Sequence, residues 1–161
     1  MTYLDKIIDY KKNEIINKSK IIPLKRLKNS QRLFSIRDFK KSLSTNKIEI
    51  IAEIKRKSPS ENNIYIDAEP KNIAKSYEEN GAAAISVLTD NKFFGGHLDF
   101  INQVKSVVQI PILRKDFIIS EYQVWESFHA GADAILLIAD AIDFALLSSL
   151  YLLATDLGLH V

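Results

Sequence analysis

Apolar positions along this chain follow two rhythms, a helical one over the first 47 residues and an alternation of short apolar runs with helical stretches from residue 48 onward. Residues 2–18 read as a helix, because Leu4, Ile7, Ile8, Ile15 and Ile16 recur near helical spacing and Thr2 followed by Asp5 forms a capping pair. Pro23 breaks that pattern. Ser35 with Asp38 predicts a second, short helix that presents Ile36, Phe39 and Leu43. These pieces are too short to enclose a core. Residues 1–47 are therefore expected to form an N-terminal helical extension to a body made by residues 48–161.

In that body the pattern predicts strands over 48–55, 83–89, 110–115 and 134–139, with a fifth beginning at Leu159. Helices fill the intervals. Pro70 opens one that Gly81 stops, and residues 98–107 supply the next on Leu98, Ile101, Val104 and Val108. Ser120 with Gln123 caps a third that stops at Gly131, and Asp140 starts a fourth that ends near Gly158. Single helices between apolar strands imply an α/β fold with a parallel sheet and right-handed crossovers. The segments NGAAAISVL and AGADAILLI, fifty residues apart, repeat a helix end, a glycine turn and a buried strand. A repeat over two βα units suits a (βα)8 TIM barrel, with an open flavodoxin-like sheet as the alternative.

Composition narrows the function classes. At 161 residues with 47% hydrophobic content the chain is long enough for one domain with a proper core. There is no Cys, hence no disulfide or thiolate chemistry, and His97, His129 and His160 lack metal-ligand spacing, so no metal and no cofactor are expected. No apolar run approaches the roughly 20 residues needed to span a bilayer, and Lys and Asn interrupt the first 30 residues too often for a secretory segment. The expectation is a cytoplasmic protein without a membrane partner. The net charge of +2 conceals 13 Lys/Arg against 4 Asp/Glu in residues 1–47, and 9 against 16 in residues 48–161. Such a basic arm either packs on the acidic body or helps attract an anionic small molecule; with no stacking motif or recognition helix, nucleic acid is not expected.

The candidate chemistry centres on IIAEIKRKSPS, residues 50–60, where an apolar strand ends in charge and runs into a Ser/Pro loop. Side chains alternate along a strand, so Ile51, Glu53 and Lys55 share one face and an acid and a base emerge together at its C-terminal end. A surface salt bridge is the plain alternative. In PILRKDF, Leu113 and Lys115 likewise share a face, so two strands deliver a lysine to one rim, which suggests an anion site. The loop LTDNKFFGGHLDF carries Phe93, Phe94 and the pair Gly95-Gly96, which either cradles a phosphate or merely permits a turn.

IIAEIKRKSPS, AISVLTDNKFFGG, PILRKDFIISEYQ and GADAILLIAD, in this order and spacing, closely resemble the indole-3-glycerol phosphate synthase family, and the helical extension matches that family's N-terminal segment. The resemblance implies a (βα)8 barrel that closes the indole ring of 1-(2-carboxyphenylamino)-1-deoxyribulose 5-phosphate, an anionic phosphorylated substrate, with loss of carbon dioxide and water. It implies that Lys115 is the general acid, that Lys55 binds the substrate carboxylate and assists proton transfer, and that Glu53 orients the lysines. It further implies that Phe94, Phe117, Leu88 and Leu136 line the apolar slot for the anthranilate ring and that Ser58, in the loop after strand one, approaches the substrate. Ordinary core packing is the alternative for these Phe and Leu residues.

The match departs from the family at the far end. The barrel needs about 250 residues, whereas the chain stops at LGLHV, three residues before the glutamate that the family places on strand five. Only the extension and about four βα units are then present, and the late phosphate loops are not. The expectation is that these 161 residues alone do not catalyse ring closure and that they self-associate through unpaired outer strands. Two alternatives are a non-catalytic half-barrel that assembles with another chain and the first part of a bifunctional enzyme carrying phosphoribosylanthranilate isomerase.

Overall fold

The computed structural model describes residues 2–60, 64 and 68–161. Four parallel strands lie side by side in chain order: β1 (Ile51–Ile54), β2 (Ala84–Leu88), β3 (Ile112–Lys115) and β4 (Ala134–Ile135). Helices connect them: α4 (Pro70–Glu79) follows β1, the one-turn α5 (Asn91–Phe94) and α6 (Asp99–Lys105) follow β2, α7 (Glu121–Ala130) follows β3 and α8 (Phe144–Asp156) follows β4. Ahead of the sheet come α1 (Tyr3–Ile21), α2 (Leu24–Lys28) and α3 (Phe39–Leu43). The register pairs Glu53 with Ser86 and Leu88 with Lys115, which puts these four residues on one face. The other face carries Ile54, Ile85, Val87 and Ile112 into a core completed by Ala74 of α4 and by Ile101, Val104 and Val108 from α6 and its end. Each of these Ile and Val side chains stabilises the fold by about 1.5–3 kcal/mol on burial. A second cluster around Ile118, Val124, Ile135, Leu150 and Leu159 seats α7 and α8 and takes in Ile36 of the extension.

Several element ends differ from the sequence expectation for local reasons. Strand one begins at Ile51, not at residue 48, since Ile48 and Ile50 are 95% and 61% exposed and pairing starts at the Ile50 carbonyl. Strand four spans two residues instead of six; β3 pairs with it only at Leu113 and Arg114, and beyond it a 3-10 turn, Ala139–Ala141, takes over. The following helix is capped by Asp143 rather than Asp140, with its carboxylate on the Leu146 N–H at 2.8 Å. The short helix expected from Ser35 starts instead at Asp38, which caps the Lys41 N–H at 2.8 Å. Ser120 caps α7 through the Tyr122 N–H, and Gln123 turns back to the Ile119 N–H and the Phe117 carbonyl. The capping box of Thr2 and Asp5 forms as expected, and the strand foreseen at Leu159 begins as a parallel bridge between His160 and Ala134.

The basic extension packs on the acidic body. Arg32 donates to the carbonyls of Phe128 and Ala132, Arg37 to those of Ile110 and Lys105, and the Arg37 N–H meets Asp133 Oδ1 at 2.7 Å. Lys18 and Lys28 reach Glu126 and Glu121 on α7. Burial alone would lower the pKa of Lys105, and the nearby Arg37 and Arg32 add to that; Asp133, 2.5 Å away, offsets only part of it, leaving a pKa of about 8. Among the described residues no helix is long and apolar enough to cross a membrane, and no group of His, Cys, Asp or Glu is arranged to hold a metal ion.

Candidate active site

The C-terminal ends of parallel strands gather side chains that are far apart in sequence, because every strand points its last residues at the same rim. Glu53, near the end of β1, lies between two lysines there. Lys115, the last residue of β3, donates to Glu53 Oε2 at 2.6 Å, and Lys55 Nζ lies 3.5 Å from Oε1. Ser86 of β2 completes the group, its hydroxyl 3.4 Å from Oε2. Burial would raise the Glu53 pKa, but the Lys115 hydrogen bond and the charges of Lys115 and Lys55 outweigh it, so the carboxyl titrates below its ordinary range. Glu53 is thus a carboxylate that holds two ammonium groups at the mouth of the sheet. The strand alternation read from the sequence brought Glu53 and Lys55 together; the shorter contact, to Lys115, is one between strands.

Apolar surface stands beside this cluster. Leu88 is 4% exposed and sits opposite Lys115 in the register, while Phe117 follows two residues later and its ring lies 6.1 Å from that of Phe94 at a tilt of 35°. Both rings are half-buried. Leu136, just past β4, is also half-buried, two residues on from Ala134, which pairs with Leu113. The half-buried Ser58 belongs to the loop after β1, its hydroxyl 3.0 Å from that of Ser60. The same loop is pinned toward Phe94 by the Lys57 N–H, which donates to the Phe94 carbonyl at 3.3 Å.

The Gly95-Gly96 pair serves a turn and not a phosphate. Gly95 ends α5 in the left-handed region at φ 64°, and its N–H is taken by the Asn91 carbonyl. The Gly96 N–H is taken by the Asp90 carbonyl at 2.7 Å, and a Cβ at this position would stand 2.3 Å from the Leu88 carbonyl oxygen. With both N–H groups engaged, neither is open to an anion.

Sequence reasoning missed the charged layer directly beneath the rim. Arg114 is 1% exposed and binds Asp116, Thr89, Ser127 and the Gln123 carbonyl; Lys11 of α1 is also 1% exposed and meets Asp90 and Asp116 at 2.9 Å each. Burial would raise the Asp116 pKa, yet Arg114 and Lys11 hold it well below the usual carboxylate range. The signal was present in the pattern. Arg114 falls on the core side of PILRKDF by strand alternation, and Lys11 lies four residues from the buried Ile7 on the same face of its helix.

Comparison with known proteins agrees with this fold. The family described as Indole-3-glycerol phosphate synthase, a TIM-barrel family, matches residues 4–161. The chain is 45% identical over 162 residues to the "Indole-3-glycerol phosphate synthase" of Rhodopirellula baltica, covering 99% of this chain and 62% of that protein. It is 44% identical to the protein of that name from Pelodictyon phaeoclathratiforme, over 100% of this chain and 64% of the relative, and 43% identical to that from Streptococcus thermophilus, over 99% and 60%. It spans less than two thirds of the length of these curated relatives. The match over nearly every residue, on a parallel sheet in barrel order, identifies the chain as belonging to the indole-3-glycerol phosphate synthase family.

Proposed function

We propose that these residues form the first part of an active site that closes the indole ring of 1-(2-carboxyphenylamino)-1-deoxyribulose 5-phosphate in tryptophan biosynthesis, a cytoplasmic carboxy-lyase reaction without cofactor or nucleic acid. The observation that carries this reading is the clamp of Lys115 and Lys55 on Glu53 beside the Phe94 and Phe117 rings. In ring closure a carbon of the aromatic ring attacks the ribulose carbonyl, and negative charge develops on that oxygen. A cation that can also give up a proton is needed there. Lys115 acts as this general acid, held in place by Glu53. Lys55 binds the substrate carboxylate, whose loss restores aromaticity, and assists proton transfer. Leu88, Leu136, Phe94 and Phe117 line the slot for the planar ring, and Ser58 approaches it from the loop after β1.

The test is genetic and chemical. A chain of family length beginning with these residues should restore growth without tryptophan to a strain lacking this synthase, and the purified protein should form indole-3-glycerol phosphate. Normal folding with no product from that substrate would sink the reading.

A further inference from the structure

Lys11 belongs to the extension and lies beneath the rim, yet its ammonium joins the two loops that carry the ring slot. On one side Asp90, fully buried, caps α5: its Oδ1 accepts the N–H groups of Phe93 and Phe94 at 2.6 and 3.2 Å, while Oδ2 lies 2.9 Å from Lys11. On the other side Asp116 Oδ1 accepts the Phe117 N–H at 2.8 Å and lies 2.9 Å from the same ammonium. Asp116 also has Arg114 and Thr89 on its Oδ2, at 3.0 and 2.6 Å. Asp90 makes no other ion pair among the described residues. One buried cation is therefore shared between the carboxylate that holds Phe94 and the carboxylate that holds Phe117, and the two rings stand 6.1 Å apart.

We propose that Lys11 is a positioning residue for the aromatic slot: by bridging Asp90 and Asp116 it fixes the spacing and tilt of Phe94 and Phe117, and so the shape of the apolar wall offered to a planar ring. Which ring enters rests on the function proposed above; the coupling itself rests on these contacts alone. The physical cause is the cost of an uncompensated buried charge. Without its ammonium, Asp90 must take up a proton, admit water or turn toward solvent. Each change loosens the N–H groups of Phe93 and Phe94, and with them the single turn of α5 on which the Phe94 ring is mounted. Glu14, on the third side of Lys11 at 2.9 Å, ties the ammonium to its own helix, so the position of α1 is transmitted to the slot.

The experiment uses a chain of family length labelled with fluorinated phenylalanine, the Phe94 and Phe117 resonances being assigned by Phe94→Leu and Phe117→Leu. Lys11→Met is compared with the unsubstituted chain. Should the single variant not fold, the neutral pair Lys11→Met with Asp90→Asn removes the bridge between the two loops without an orphaned charge on Asp90 and tests the bridge itself. The expected result is that the Phe94 and Phe117 resonances shift or broaden while those of distant rings such as Phe128 hold. KM should rise about tenfold, the scale of one lost contact, with kcat within about threefold, as for lost ground-state binding. Lys11→Arg, which keeps the charge, should recover part of both effects. Unmoved Phe94 and Phe117 signals in a folded variant would overturn the proposal, as would equal shifts at every ring or failure of both variants to fold, which would mark Lys11 as a folding element only. The fluorine spectra need no turnover, so an inactive unsubstituted chain would count against the functional reading and not against this one.

Discussion

Glu53 and Lys115 lie 62 residues apart in the chain and 2.6 Å apart in space. That contact exists only when β1 and β3 stand in register on either side of β2, with Ser86 between them. The ion pair is half-exposed at the rim, so its contribution to stability is small. Its value is geometric: it aims an ammonium at one point.

If that aim serves acid catalysis, Lys115→Ala should lower kcat by about 10²- to 10⁴-fold while leaving substrate binding much less affected, because a general acid acts in the transition state. Steady-state kinetics on a chain of family length decide the matter. An unchanged kcat with a raised KM would make Lys115 a binding group.

Coupling should follow distance. Double-mutant cycles should give a larger interaction energy for Glu53 with Lys115, at 2.6 Å, than for Glu53 with Lys55, at 3.5 Å. Coupling below about 0.5 kcal/mol for both pairs, the level of independent sites, would reduce the cluster to a surface salt bridge.

Much of this is legible in the chain itself. Period-two alternation puts Glu53 with Lys55, and Leu113 with Lys115, on shared strand faces that lead to one rim, and helix stops at Gly81 and Gly131 separate the strands correctly. Strand ends were less legible, because pairing depends on the neighbour: residues 136–139 are as apolar as their neighbours, yet β4 ends at Ile135. The buried charges escaped notice for a related reason. A lysine on a basic helix reads as solvated, and only the carboxylates of Asp90 and Asp116, brought up from elsewhere in the chain, make Lys11 a core residue.

Acid should unlock the extension. The Asp116 and Glu14 carboxyls titrate below their ordinary values of 3.8 and 4.5; for each, burial works against ionisation and is outweighed by neighbouring cations. Groups with depressed folded pKa values bind fewer protons folded than unfolded, so the stability they give is complete above about pH 5 and is lost as pH falls through the lowered values. Denaturant midpoints measured from pH 6 to pH 3 should fall steeply below pH 4.5, and less steeply in the Lys11→Met, Asp90→Asn chain. Equal slopes in the two chains would contradict this account.

Two glycine substitutions should separate close approach from backbone conformation. Gly81 has φ 86° and open space around its missing Cβ, so Gly81→Ala should cost about 1 kcal/mol. At Gly96 a Cβ would meet the Leu88 carbonyl oxygen at 2.3 Å, and moving that backbone should cost about 3 kcal/mol or more. Urea unfolding of both variants gives the comparison, and similar losses would count against it.

Residues 1–161 expressed alone should associate and lack ring-closing activity. Beside β1, Ile48 and Ile50 are exposed, and on α8 so are Phe144 and Leu152, at 82% and 61%. Apolar surface beside β1 and on α8 invites contact with another copy. Sedimentation showing a stable monomer, or product formation by that monomer, would refute the corresponding half.

Asp133 also sets an order of assembly. Its Oδ2 holds the Ile112 N–H at 2.8 Å, and its Oδ1 receives Lys105 and the Arg37 N–H. The seats for Arg32 and Arg37 are this carboxylate and the carbonyls of Lys105, Ile110, Phe128 and Ala132, all at least 68 residues downstream. The segment that carries Arg32 and Arg37 is made before these seats and cannot take them until β3 and α7 have formed. A segment made early is thus fastened late, and a protease acting during synthesis should cut it more readily than in the finished fold.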